Sequence, residues 1–143
     1  MASIFSKLVM HTEFSLRKQN KQTMAEHNDT GKKGEELAQR FLKKEGYKIL
    51  AVNWVFKKTE IDIVAQDEKF LIIAEVKTRH SNFFGEPESW VTKIKQQNLI
   101  KGAEAYILKN NLDLEVRFDI ISIILSKKEY HIHHIKDAFY PIL

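Results

Sequence analysis

The stretch Phe70-Leu71-Ile72-Ile73-Ala74-Glu75-Val76-Lys77 is apolar on both faces of a strand until two charged residues follow. Such strands are covered on both sides, so we predict that this one lies in the middle of a sheet. The preceding segment, Glu60-Ile61-Asp62-Ile63-Val64-Ala65, predicts a second strand, joined to the first by a hairpin around Gln66-Asp67-Glu68-Lys69. This hairpin decides which residues meet at the centre of the sheet.

The segments on either side of the hairpin indicate an α/β domain. In chain order the predicted elements are a helix that Asp29 or Thr30 caps and Gly46 ends, a strand at residues 47–57, the hairpin, a loop with Gly85 and Pro87, a helix from Ser89 to Lys109, a strand at 116–124 and an edge strand at 129–135. The order αβββαβ, with the extra edge strand, predicts a mixed β-sheet flanked by helices.

Composition sets limits on the class of protein. The chain has 143 residues, 23 Lys and Arg against 19 Asp and Glu, a net charge of +4 and no cysteine. We predict a flexible N-terminal extension at residues 1–30, with Met24 as an alternative start, and one domain at 31–143. The absence of cysteine excludes disulfides and thiolate metal sites and fits a cytoplasmic protein. No apolar run approaches the roughly 20 residues of a membrane span, so we expect no membrane partner.

Charged residues on the two hairpin strands are the informative feature. Alternation places Glu75 and Lys77 on one face, and with Glu68-Lys69 as a two-residue turn, Asp62 faces Glu75 and Glu60 faces Lys77. Two facing carboxylates repel each other unless a cation lies between them. Carboxylate oxygens with several waters favour Mg²⁺ or Mn²⁺, so Asp62 and Glu75 are the predicted metal ligands.

These residue types suit the hydrolysis of phosphodiester bonds. A metal ion would polarise a phosphate oxygen, and Lys77 would orient the attacking water or neutralise developing charge. Two further side chains can join the site: Glu35 at the rim of the first helix, to hold a second metal ion or a water, and Gln96 within the apolar arc of the long helix, to position water or phosphate. Four neighbouring cations would dock a polyanion: Arg79, Lys93, Lys95 and Lys101.

The order of these residues resembles a known family. Asp62 followed by Glu75-Val76-Lys77 resembles the PD-(D/E)xK motif of the restriction-endonuclease-like superfamily. The chain is more closely similar, over about residues 31–140, to the YraN-like family of predicted bacterial endonucleases. That resemblance is carried by Gly34-Glu35 with Ala38, residues 59–65, Glu75-Val76-Lys77-Thr78-Arg79, Phe84-Gly85, Lys95-Gln96-Gln97 and Arg117-Phe118-Asp119. Thr59 replaces the family's usual Gly, and Ile61 replaces the Pro of the superfamily motif.

The resemblance implies a restriction-endonuclease-like core and a Mg²⁺-dependent nuclease acting on nucleic acid, in particular DNA that is branched or damaged. Archaeal Holliday-junction resolvases look like relatives through the same layout of acids and Lys, which suggests a homodimer. The alternative function is a non-catalytic nucleic-acid-binding or adaptor module that retains the fold.

Structural interpretations compete with these roles. Asp62, Glu75 and Lys77 could form a surface salt bridge, and Glu60 could simply pair with Lys77. Arg117 and Asp119 share a strand face and are interpreted mainly as a structural pair. Two histidines on one face of the last strand, His131 and His133, permit a metal site, although no cysteine or convergent acid supports it.

Overall fold

The computed structural model describes residues 4–80 and 91–141, and side chains from Glu13 onward except that of residue 14. Its elements are α1 (Ile4–Lys44), β1 (Lys48–Phe56), β2 (Thr59–Gln66), β3 (Phe70–His80), α2 (Lys93–Asn110), β4 (Glu115–Leu125) and β5 (Tyr130–Phe139). The strands form one sheet in the order β1-β2-β3-β4-β5. All neighbours are antiparallel except β3 and β4, which run parallel with α2 between them in sequence. The predicted α/β fold, the central position of β3 and the edge strand are confirmed.

The hairpin between β2 and β3 has the predicted register. Ile63 pairs with Ala74, and the pairing continues without a shift to Gln66 and Leu71 beside a two-residue turn. The carboxylate of Asp67 accepts both backbone N–H groups at the far side of this turn, at 2.9 and 2.7 Å. A short polar side chain that bonds the backbone two and three residues later fixes a turn locally, so the turn determines the register of the strands.

The sheet has a core on each face. One core contains residues from the last turns of α1 and the residues of the sheet that face them: Leu37, Ala38, Leu42, Tyr47, Ile63, Ala65, Ile72, Ala74, Ile121, Ile123 and Leu125. The other contains residues of α2 and the opposite face: Ile61, Val64, Leu71, Ile73, Val91, Leu99, Ala103, Tyr106, Phe118, Ile120 and Phe139. Since helices cover both faces, the central strands are apolar throughout, as their sequence predicted.

Helix α1 ends as predicted but begins earlier. Gly46 has a φ of +91°, and the N–H of Tyr47 bonds to the carbonyl of Leu42, the arrangement of a Schellman ending. The predicted N-cap at Asp29 or Thr30 is wrong, because the helix is continuous through both. The Thr30 hydroxyl donates instead to the carbonyl of Glu26, at 2.8 Å, as Thr does inside helices.

The chain separates into two compact units, Met1–Lys33 and Gly34–Leu143. The first unit is helical from Ile4. The flexibility predicted for residues 1–30 stays a prediction. The second unit contains the whole sheet and both of its cores.

Helix α2 begins at Lys93, after Thr92, whose hydroxyl accepts the N–H of Lys95 at 3.2 Å. The start predicted at Ser89 is wrong, because Thr92 is extended and caps a helix that begins only at Lys93. The predicted loop residues Phe84, Gly85 and Pro87 lie outside the described residues. Within 4–80 and 91–141, neither helix combines the length and the apolar character needed to cross a bilayer.

Candidate active site

Glu75 is a charged residue almost completely buried near the end of the central strand. Its exposed fraction is 4%, and it lies on the α2 face of β3, where Leu71 and Ile73 pack in the core. Its Oε1 is 3.3 Å from Nζ of Lys77, which follows on the same face and keeps 22% of its side chain exposed. The alternative interpretation as a surface salt bridge is thus confirmed in its pairing of Glu75 with Lys77 and wrong in its location, because the carboxylate of Glu75 is buried.

Lys95 approaches the other oxygen of this carboxylate from helix α2. Its Nζ lies 3.4 Å from Oε2 of Glu75 and 3.3 Å from the backbone carbonyl of Glu60, to which it donates. The contact with Oε2 is close enough for an ion pair but lacks the geometry of a hydrogen bond. Oε2 is consequently a buried oxygen that has no hydrogen-bond partner within residues 4–80 and 91–141. Such orphaned atoms are rare in native proteins and require an explanation.

Asp62 is the second acid of the site. Its Oδ2 accepts the backbone N–H of Val76 at 2.8 Å, which ties the end of β2 to β3 just beyond the last ladder pair. Burial, and then the negative charge of Glu75, raise the pKa of Asp62 from 3.8 to about 7. The bond from Val76 and the charge of Lys95 oppose this shift but do not cancel it. The two acids therefore repel each other, as the predicted register required.

Strand β2 and its neighbour β1 are both distorted near Asp62. Ile61 and Ile63 pack in different cores, although two residues of a regular strand share a face. In the neighbouring strand, Asn53 lies between the partners of these two residues and has a φ of +47°. Asn tolerates this left-handed conformation better than most residues. The irregular backbone therefore coincides with the acid that the sequence predicted as a ligand.

Glu35 reaches the same region from α1. Gly34 makes this approach possible, because a Cβ there would overlap the side chain of Thr78 on β3. Glu35 is half-buried and accepts a hydrogen bond from Nδ2 of Asn53 at 3.2 Å, and its charge contributes the smallest of the named effects on the pKa of Asp62. Its neighbour Glu36 is exposed.

Gln96 is half-buried, and its side-chain amide donates to the carbonyl of Val91 at 3.0 Å. Its predicted catalytic role stays a prediction. From the sequence, Lys95 was predicted only as one of several docking cations. The spacing of Lys95, Leu99 and Gly102, at i, i+4 and i+7, places Lys95 on the same helix face as two residues that are buried. This spacing could have identified Lys95 as a lysine that faces the sheet.

The alternative pairing of Glu60 with Lys77 is not formed among the described residues. The ladder between β2 and β3 ends at Ile63 and Ala74, so the two side chains are not brought into register. Lys77 pairs with Glu75 instead.

Arg117 and Asp119 form the predicted structural pair on the opposite face of the sheet. Two bonds of 2.9 and 2.8 Å join the guanidinium to the carboxylate, and Nε2 of His134 lies 2.7 Å from the same carboxylate. The N–H of Asp137 adds a fourth contact at 3.1 Å. Burial raises the pKa of Asp119, but the bonds with His134 and Arg117 outweigh burial, so the pKa is lowered. This carboxylate needs no further ligand.

Of the residues described here, Asp62 and Glu75 are the pair that fits a divalent metal ion. No group of three or more His, Asp or Glu side chains in 4–80 and 91–141 is arranged to hold one. Mg²⁺ does not need such a cage, since it is commonly bound by one or two carboxylates and keeps several waters. The orphaned Oε2 of Glu75 and the mutual repulsion with Asp62 are both relieved by a cation at this position.

The fold and site thus define an α/β protein with one buried acid, Glu75, one half-buried acid, Asp62, and two lysines near the end of its central strand. A family model described as "Uncharacterised protein family UPF0102" matches residues 34–123. The chain belongs to this family, which is the YraN-like family that its motifs predicted.

Curated relatives agree over nearly their whole length. A UPF0102 protein of Flavobacterium psychrophilum is 55% identical over 117 residues, which covers 82% of this chain and 98% of the relative. A UPF0102 protein of Flavobacterium johnsoniae is 50% identical over 121 residues, with 82% and 98% covered. One from Christiangramia forsetii is 49% identical over 117 residues, again with 82% and 98% covered.

Proposed function

We propose that the chain is a metal-dependent nuclease that hydrolyses phosphodiester bonds in nucleic acid, with DNA as the preferred substrate. One observation carries the proposal: Oε2 of Glu75 is buried without a hydrogen-bond partner, beside an Asp62 whose pKa burial and Glu75 raise to about 7. A perturbed acid next to an unsatisfied one marks a candidate functional site, because structural charges are normally paired.

Asp62 and Glu75 would hold Mg²⁺ or Mn²⁺. When bound, such an ion lowers the pKa of a water and stabilises charge on a phosphate oxygen. Lys77 rests against Oε1 of Glu75 with part of its side chain in solvent, so its ammonium is placed to hold the attacking water or a phosphate oxygen. Asp62 must be ionised to act as a ligand. Because its pKa is about 7, its carboxyl group loses the proton near neutral pH, and metal binding is expected to depend on pH there.

The surface near the start of β2 supports a polyanionic substrate. A cleft of about 500 Å³ lies between the turn joining β1 to β2 and helix α2, and three lysines line it: Lys57, Lys58 and Lys101. Lysines bind phosphate backbones by charge, without reading sequence. Thr59 also lines the cleft and is adjacent to Glu60, whose backbone carbonyl accepts the hydrogen bond of Lys95. Asp62 and Glu75 themselves do not line the cleft. The preference for DNA, and for branched or damaged DNA, comes from the family resemblance.

A cleavage panel tests the proposal. Single-stranded, duplex, flap and four-way-junction DNA, with matched RNA, are incubated with the protein and Mg²⁺ or Mn²⁺. We expect at least one substrate to be cut, and Asp62→Ala or Glu75→Gln to lower the rate at least about 100-fold. Glu60→Gln is the control, because this exposed side chain has no ion pair in the described part of the chain and its removal should leave the rate nearly unchanged.

The second candidate is a nucleic-acid-binding or adaptor module without catalysis. The observation that favours it is the small number of direct ligands, since two acids bind a metal ion more weakly than three or more. Binding of the panel without cleavage in either metal, with Asp62→Ala binding as tightly as wild type, would establish this function instead.

A further inference from the structure

Lys95 occupies a position that neither a docking role nor a structural role explains. Its ammonium lies between two strands, 3.3 Å from the carbonyl of Glu60 on β2 and 3.4 Å from Oε2 of Glu75 on β3. About a third of the side chain remains exposed, so the ammonium has an open route to solvent. A buried structural cation would be enclosed and held by several hydrogen bonds, as the guanidinium of Arg117 is by Asp119 and Tyr47.

The two lysines at Glu75 are not equivalent. Lys77 belongs to β3 itself and lies 3.3 Å from Oε1, whereas Lys95 comes from α2 and lies 3.4 Å from Oε2, and neither contact has the geometry of a hydrogen bond. Of the two oxygens, Oε2, which faces Lys95, is the buried one that has no hydrogen-bond donor among the described residues. An ion pair without a hydrogen bond is weaker than a hydrogen-bonded ion pair, so its cation is more easily exchanged for another cation.

A divalent ion and this ammonium compete for the same oxygen. Mg²⁺ binds carboxylate oxygen at roughly 2.0–2.1 Å, so an ammonium kept 3.4 Å from Oε2 would lie within about 5.5 Å of the ion. Like charges at that separation repel by an amount that matters even when partly screened. Metal binding therefore favours movement of Lys95 away from Oε2.

We propose that Lys95 is the resident counter-cation of the acid pair and is exchanged for the divalent metal ion, which rests on the proposed metal-dependent function. In the metal-free protein it compensates Glu75. After metal binding it turns toward solvent at the start of α2, where a phosphate of the nucleic acid is the anion that would receive it. Lys95 is thus a positioning residue that sets metal affinity and couples metal binding to substrate binding.

Metal affinity measures this exchange independently of cleavage. Mn²⁺ is titrated calorimetrically into metal-free protein at pH 7.5, for wild type, Lys95→Met, Lys95→Arg and Lys109→Met. We expect Lys95→Met to lower the Kd for Mn²⁺ about tenfold, since it removes a competing charge and keeps the aliphatic stem. Lys95→Arg keeps the charge and should restore a Kd near that of wild type. Lys109→Met, which changes an exposed lysine of the same helix, is the matched control and should bind like wild type.

Each result decides between explanations. Wild-type binding with an unchanged or higher Kd in Lys95→Met overturns the exchange and leaves the proposed nuclease intact. A wild type that binds no Mn²⁺ overturns both. If Lys95→Met does not fold, Lys95→Gln, which keeps a donor for the Glu60 carbonyl, replaces it with the same expected direction and the same criterion.

Discussion

One sheet holds two buried carboxylate sites that are built in opposite ways. Asp119 has no exposed surface, yet it is bonded by Arg117, by His134 and by a backbone N–H. Glu75 is almost as enclosed, with 4% of its surface exposed, but it lies beside a second acid, Asp62, and its Oε2 has no hydrogen bond from the described residues. The first site is complete within the protein, and the second is not.

The pKa values express the same difference. The bonds at Asp119 outweigh its burial and lower its pKa, whereas burial and Glu75 together raise the pKa of Asp62. A buried charge whose hydrogen bonds and ion pairs are all formed stabilises the native state. A buried charge that lacks such partners destabilises it until a ligand binds. Function is therefore expected at Asp62 and Glu75, and stability at Asp119.

The largest effect is expected from breaking the complete site. Asp119→Ala leaves the buried guanidinium of Arg117 with only the longer, 3.8 Å contact to Asp67, and removal of one partner of a buried pair costs about 3–5 kcal/mol. Urea unfolding at pH 7 measures the loss. Glu129→Ala is the control on the neighbouring hairpin, because both side chains of its ion pair with His131 are exposed. That variant should lie within about 0.5 kcal/mol of wild type. An equal loss in both variants would contradict the assignment of Asp119 as a structural residue.

An intermediate effect is expected from pH, through Asp62. Because its folded pKa of about 7 exceeds the unfolded value of 3.8, its stabilising contribution is complete below pH 4 and is lost as pH rises through 7. The metal-free protein should therefore lose on the order of 2–4 kcal/mol of unfolding free energy from this group between pH 4 and pH 8. Asp119 acts in a different window, since its lowered pKa makes its contribution disappear only at more acidic pH.

Asp62→Asn isolates this contribution. The variant has no ionisable group at 62, so the difference in stability from wild type should grow in favour of the variant between pH 4 and pH 8. Chemical denaturation at several pH values, in the presence of a chelator, measures it. A constant difference across that range would show that Asp62 titrates normally, and the contrast between the two carboxylates would disappear.

Much of the fold and part of the site follow from local sequence. The hairpin register was predictable because a two-residue turn closed by Asp67 leaves no freedom, and extending this register past its last pair predicted that Asp62 lies near Glu75. The central position of β3 followed from a strand that is apolar on both faces.

Other features depend on tertiary contacts that no single segment reveals. The sequence did not predict the contact of Lys95 with Oε2 of Glu75, because it depends on where α2 lies against β2. Gly102 sets that position, since a Cβ there would be 3.1 Å from Cδ1 of Ile61. The left-handed Asn53 was likewise unpredicted, as many Asn residues in strands are regular. The early start of α1 was missed because a polar stretch without apolar periodicity still contains good helix formers.

The smallest predicted effect concerns Glu35 and sharpens the boundary of the incomplete site. Its charge is the weakest of the named contributions that raise the pKa of Asp62, so Glu35→Gln should lower that pKa by only a fraction of a unit. Gln keeps an oxygen for Nδ2 of Asn53, so the change removes charge and little else. Carboxyl NMR titration of Asp62 measures the shift, with the exposed Glu36→Gln as a control that should leave it unchanged. A fall of more than about one unit, roughly 1.4 kcal/mol, would contradict this ranking. Glu35 would then belong with Asp62 and Glu75 as a third acid of the site, close enough to share a metal ion or its waters.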